Sequence, residues 1–244
     1  MIPATLGCPH DYALTPEDMR QIASAQVLIV NGLGLEEFLG APVRRANPGI
    51  ALIDASALVD APLPLAEAGA KGFNPHIFAS PAMSAKMAAA IARGLSKIDP
   101  EGADTYEANS SAYGLRMAGL SRELAALGSR LQNNRVITQH GVFDYLAREA
   151  GLKIVGVLEE HGGVPPSAAQ MRRLVALAIS RKVGAVITEP QYPDEVGRTI
   201  AREAAIPLIR LDPVANGPKD SPCDYFDGVM RENIELMGKT LGLK

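Results

Sequence analysis

Short apolar runs rich in valine and isoleucine recur along the chain, separated by segments of helical pattern, and this alternation constrains the fold more than any other feature. The runs are Q-V-L-I-V-N-G (26–32), G-I-A-L-I-D-A (49–55), R-V-I-T (135–138), L-K-I-V-G-V-L (152–158), V-G-A-V-I-T-E (183–189) and I-P-L-I-R-L-D (206–212). Helices are predicted at 15–24, 81–97, 141–150, 167–181 and 194–204. Two of their starts carry cap chemistry, Thr15-Pro16-Glu17-Asp18 and Ser80-Pro81, in which a hydroxyl and a proline suit the first turn. Strands that are apolar without a break are covered on both faces, and strands separated by helices pair in parallel. The chain is predicted to be an α/β protein built on parallel sheets.

One stretch departs from the pattern. Across 101–132, Tyr106, Tyr113, Leu120, Leu124, Leu127 and Leu131 recur at helical intervals with no proline among them. A single helix there would be about 45 Å long at 1.5 Å per residue. It is expected to bridge an N-terminal lobe, 1–102, and a C-terminal lobe, 133–244, with the linking helix over 103–132. Gly114, Gly119 and Gly128 lower helix propensity and keep a second reading open, two broken helices. The C-terminal half has three or four strand–helix units. The N-terminal half offers three strands, of which A-T-L-G (4–7) is very short.

Bulk properties exclude several classes. A net charge of -3 gives no electrostatic reason to expect nucleic acid or an anionic membrane as partner. No apolar stretch approaches the roughly 20 residues of a membrane span. The opening M-I-P-A-T-L-G-C-P-H lacks the basic and apolar regions of a signal peptide, which leaves a cytosolic protein or a processed chain. Two cysteines, Cys8 and Cys223, are too few for a disulfide framework. They either form one bridge or stay unpaired.

The four histidines of the chain are the candidates for chemistry. His10 precedes the 15–24 helix, His76 lies in G-F-N-P-H-I-F-A-S-P before the 81–97 helix, and His140 ends V-I-T-Q-H. Asp212 ends L-I-R-L-D. In open parallel sheets, ligands gather beyond the carboxyl ends of the strands. Neutral imidazole with carboxylate is the ligand chemistry of zinc and its neighbours. Position alone leaves a metal site and ordinary loop histidines in balance, and no C-x-x-C or H-E-x-x-H motif decides between them.

Six strings occur in order: H-D-Y-A-L-T-P-E-D (10–18), V-N-G-L-G-L-E-E-F-L (30–39), N-P-H-I-F-A-S-P (74–81), I-T-Q-H-G-V-F-D-Y-L-A-R-E-A-G-L (137–152), I-T-E-P-Q-Y-P (187–193) and L-D-P-V (211–214). Together they resemble the metal-binding solute-binding proteins of zinc and manganese ABC transporters, over nearly the whole chain. The resemblance implies two α/β lobes joined by one long rigid helix, with the metal between them. It implies His10, His76, His140 and Asp212 as ligands of one ion. His140 falls where zinc-type members carry histidine and manganese-type members glutamate, so Zn2+ is expected ahead of Mn2+ as the transported ion. It further implies an extracytoplasmic or periplasmic monomer that delivers its ion to an ABC permease, without enzymatic activity and with little lobe motion.

Several features depart from the family pattern or stay open. Asn74 stands where the family has the aspartate of D-P-H, which puts the tuning of the neighbouring histidine in question. The family's first strand and helix, its export signal and its histidine-rich loop are not recognisable. Glu189 ends a strand and is either an acceptor behind the cleft or an exposed loop acid, the second being the favoured reading. His161, in a glycine- and proline-rich turn, reads as a solvated loop residue, with a rim or auxiliary ligand role as the alternative. Asp11 and Tyr12 adjoin His10 and either orient it or lie at the surface. Rival functions are a zinc hydrolase, which would use three histidines and an open position, and an adhesin or manganese/iron-type binder on the same fold.

Overall fold

The computed structural model describes residues 12–65, 71–159 and 165–243. The expected strand at 4–7, together with Cys8, His10, Asp11 and His161, lies outside the described residues. The chain opens with helix α1 (Pro16–Ser24), capped by Thr15, whose hydroxyl accepts from the Asp18 amide while the Asp18 carboxylate accepts from the Thr15 amide. Tyr12 is buried, and its hydroxyl donates to Asp18 at 2.6 Å, so it completes this cap. Strand β1 (Val27–Val30), helix α2 (Gly40–Ala46) and strand β2 (Ala51–Asp54) follow, and β1 pairs with β2 in parallel.

Helix α3 (Pro81–Ile98) packs on β2 and leads into α4 (Ala103–Arg130), a continuous helix of 28 residues. At 1.5 Å per residue α4 is about 42 Å long. Its buried face is Met117, Leu120, Leu124 and Leu127, the period read from the sequence. Of its glycines only Gly128 is required by space. A Cβ there would lie 1.9 Å from the Ala150 carbonyl oxygen, whereas Gly114 and Gly119 face nothing within 4 Å. The glycines therefore leave the helix unbroken, because two sit on the open face and the third allows a close crossing.

The C-terminal lobe is a four-stranded parallel sheet in the order β4-β3-β5-β6, with β3 at Arg135–Thr138, β4 at Lys153–Val157, β5 at Ala185–Thr188 and β6 at Leu208–Arg210. Helices α5 (Asp144–Glu149), α6 (Ala168–Ser180), α7 (Glu195–Glu203) and α8 (Tyr225–Leu241) complete it. Successive strand residues point to opposite faces, and both faces are apolar. Val136, Ala185, Ile187 and Ile209 join α4 and α8 in one core, while Ile137 and Val186 join Val183, Ala178 and Ile200 in another. The molecule thus has two α/β lobes joined by a long helix.

The lobes are also tied directly. Tyr145 is 1% exposed, and its hydroxyl donates to the Asn74 carbonyl at 2.8 Å and accepts from the Leu63 amide at 2.9 Å. Arg148 donates to the Ala61 carbonyl, and Ser80 donates to Glu149 at 2.6 Å. Glu149 also accepts from the Ala82 amide in the first turn of α3, where a negative charge is favoured by the helix dipole.

Candidate metal centre

The order β4-β3-β5-β6 has a switch point between β3 and β5, where successive connections run to opposite sides of the sheet. The crevice beyond the strand ends at such a point is where open α/β sheets bind ligands. His140 follows β3 and Glu189 follows β5, so both lie at that crevice. Asp212 follows β6, the next strand over, and His76 opens a 3-10 turn, His76–Ala79, just before α3.

Two of the sequence-predicted ligands meet. The His76 and His140 rings have centroids 5.0 Å apart at an interplanar angle of 81°, and each residue is only 5% exposed. Both rings are held through Nδ1. In His76 it lies 2.7 Å from Asn74 Oδ1, and in His140 it lies 2.6 Å from Glu189 Oε1. An amide oxygen and a carboxylate oxygen accept, so each Nδ1 carries the proton and the ring lone pair is assigned to Nε2. This is the arrangement by which proteins orient and electronically tune metal-binding histidines.

Glu189 is 2% exposed, which overturns the reading of it as an exposed loop acid. Burial pushes its carboxyl above the ordinary range. The His140 hydrogen bond and charge pull the other way, and the neighbouring charges of Glu159 and Asp212 add to the rise. Glu159, just beyond β4, is buried too and accepts from Gln139 at 2.9 Å. Tyr192 sets its ring edge to face with His140 at 5.8 Å.

Asp212 is half-buried, and its Oδ1 accepts from the Val214 amide at 2.8 Å and from Gln191 Nε2 at 3.2 Å. Its backbone is clamped by Asn233 of α8, which accepts from the Asp212 N–H at 3.1 Å and donates to its carbonyl at 2.7 Å. Val214 adopts φ 58, an uncommon conformation for a β-branched residue. The loop after β5 therefore touches both halves of the site, through Glu189 and Tyr192 to His140 and through Gln191 to Asp212. Among the described residues no three His, Cys, Asp or Glu side chains form a group that could hold a metal ion. His76 and His140 come together, Asp212 stands in the adjoining loop, and His10 lies outside the described residues.

Gln191, Tyr192 and Asn233 were not singled out from the sequence. The first two lie within the quoted string I-T-E-P-Q-Y-P, where proximity to Glu189 was the available signal. Asn233 had none, since a buried asparagine on a helix looks like a solvent-facing one in sequence.

Two α/β lobes on a stiff helix, with paired histidines at the switch point of a parallel sheet, define the class of metal-binding solute-binding proteins. The chain matches the family described as "Zinc-uptake complex component A periplasmic" over residues 1–239, and it belongs to that family. It is similar to the high-affinity zinc uptake system protein ZnuA of Bacillus subtilis, with 26% identity over all of this chain and 80% of that protein. It is 28% identical to the iron-binding protein YfeA of Yersinia pestis, covering 96% of this chain and 76% of that one. Among solved structures, the solute-binding protein FpvC of Pseudomonas aeruginosa in complex with Mn2+ superposes with a TM-score of 0.85 at 31% identity, over 98% of this chain and 88% of that one.

Proposed function

We propose that the protein captures one divalent transition metal ion, Zn2+, outside the cytoplasmic membrane and hands it to an ABC permease. The observation that carries this reading is the His76–His140 pair, with both Nδ1 atoms committed to acceptors inside the protein. The ligands are Nε2 of His76 and His140 with His10 and Asp212, and the lobes divide at 1–102 and 133–244 around the linking helix 103–132. Three imidazoles and one carboxylate form a softer donor set than two of each, which favours zinc over manganese. The relatives' names point the same way without unanimity: ZnuA takes up zinc, YfeA binds iron, and FpvC holds Mn2+.

The protein is a carrier rather than a hydrolase. The carboxylate hydrogen-bonded to a histidine of the site, Glu189, is committed to His140 Nδ1 at 2.6 Å and does not serve as a general base toward a metal-bound water. The direct ties between lobes argue against a wide hinge, so release runs through the loops and through docking on the permease.

Competition dialysis tests the assignment of the ion. Zinc is expected to stay bound against a large excess of manganese, and its affinity to fall on acidification as imidazoles protonate and cease to ligate. Displacement of zinc by comparable manganese would overturn the choice of ion and favour the manganese-type reading.

A further inference from the structure

We infer that Asn74 is a positioning residue that locks the loops of His76 and His140 together and fixes the proton on His76, with Asp144 as its required counterpart. Asn74 is 2% exposed. Its Oδ1 accepts from the His76 amide at 2.9 Å and from His76 Nδ1 at 2.7 Å. Its Nδ2 donates to the Gly141 carbonyl at 2.7 Å and to Asp144 Oδ2 at 2.9 Å. The His76 backbone N–H can only donate and the Gly141 carbonyl can only accept, so these two contacts set which way the amide faces. An amide has two N–H donors and two acceptor lone pairs, and all four are used.

The consequences run across the lobes. Gly141 follows His140 directly, so one side chain binds the ring of one histidine and the backbone beside the other. The fit is close on that side, since a Cβ on Gly141 would come within 3.2 Å of Asn74 Nδ2. The backbone of Asn74 is fixed as well, its N–H donating to the Leu63 carbonyl at 2.7 Å and its carbonyl accepting from Tyr145. An aspartate at position 74 would still accept from His76. It would have no proton for Gly141 or Asp144 and would set two carboxylates against each other. The donor side of Asn74 thus answers to Asp144, and the acceptor side to His76.

The effect on metal binding rests on the reading of His76 and His140 as ligands, so the test has a metal-free arm. In the zinc-free wild type, imidazole 15N shifts are expected to show His76 as the Nδ1–H tautomer. In Asn74→Leu, which removes the acceptor, they should shift toward Nε2–H. Thermal unfolding without metal is expected to show Asn74→Asp destabilised and Asn74→Asp/Asp144→Asn partly restored, because the new amide supplies the missing donor. An Nε2–H tautomer in the wild type, or strictly additive effects in this cycle, would overturn the inference.

In the zinc arm, Asn74→Leu, which takes the acceptor away from His76 Nδ1, should weaken binding by about tenfold or more. Zinc affinity indifferent to Asn74→Leu, alongside the metal-free tautomer and coupling as expected, would sink the ligand assignment and leave the positioning role of Asn74 standing.

Discussion

Asn74 and Glu189 do the same job for two histidines with different chemistry. The neutral amide orients His76, whereas the carboxylate orients His140 and also raises the basicity of its ring. The second arrangement costs stability when no metal is bound, because burial pushes the Glu189 carboxyl above its ordinary range. The sign follows from linkage. A folded-state value above the unfolded value of about 4.3 means that the folded protein holds this proton more tightly. That contribution is complete below the unfolded value and is lost as pH rises through the folded one. Glu189→Gln is therefore expected to raise the melting temperature of the zinc-free protein at neutral pH, with the difference from wild type closing near pH 4. Its zinc affinity should fall by about 10–100-fold. Equal melting temperatures at neutral pH would contradict the burial argument. Sequence alone misjudged this residue because the strand end V-I-T-E-P does not reveal that the loop beyond it turns inward.

At the scale of elements, the apolar runs located all six described strands, and the 3–4 period of Leu120, Leu124, Leu127 and Leu131 located α4. Buried faces write a repeat into the sequence, which is why these elements were legible. Two helices were not. Helix α2 is short and carries Pro42 in its first turn. The buried residues of α8 are Met230, Asn233, Met237 and Leu241, and its apolar stripe is interrupted by the asparagine that clamps Asp212. The element that steadies one proposed ligand is thus hidden by the residue that does the steadying.

The glycines of α4 give a direct check on this level. Gly114→Ala and Gly119→Ala face open space and should each stabilise the protein by up to about 1 kcal/mol through helix propensity. Gly128→Ala meets the Ala150 carbonyl and should cost about 1–3 kcal/mol as an overpacked contact. Denaturant midpoints measure all three, and a stabilising Gly128→Ala would contradict the close crossing of α4 over the end of α5.

For the whole molecule, the crossing of polar ties between lobes matters as much as the long helix. Tyr145, Arg148 and Glu149 of α5 reach residues 61–82 of the other lobe, and Asn74 reaches back to Gly141 and Asp144. These contacts flank the two histidines, so the same latch that holds the lobes also sets the spacing of the rings. Family membership was legible from six ordered strings, but this latch was not, because it joins residues about 70 to 90 positions apart in sequence. The central claim is that the ion sits between those rings. Isothermal titration with zinc of wild type and His140→Ala tests this most directly. A single tight site is expected in the wild type, weakened by more than about tenfold in the variant. Zinc binding unchanged by His140→Ala would contradict it.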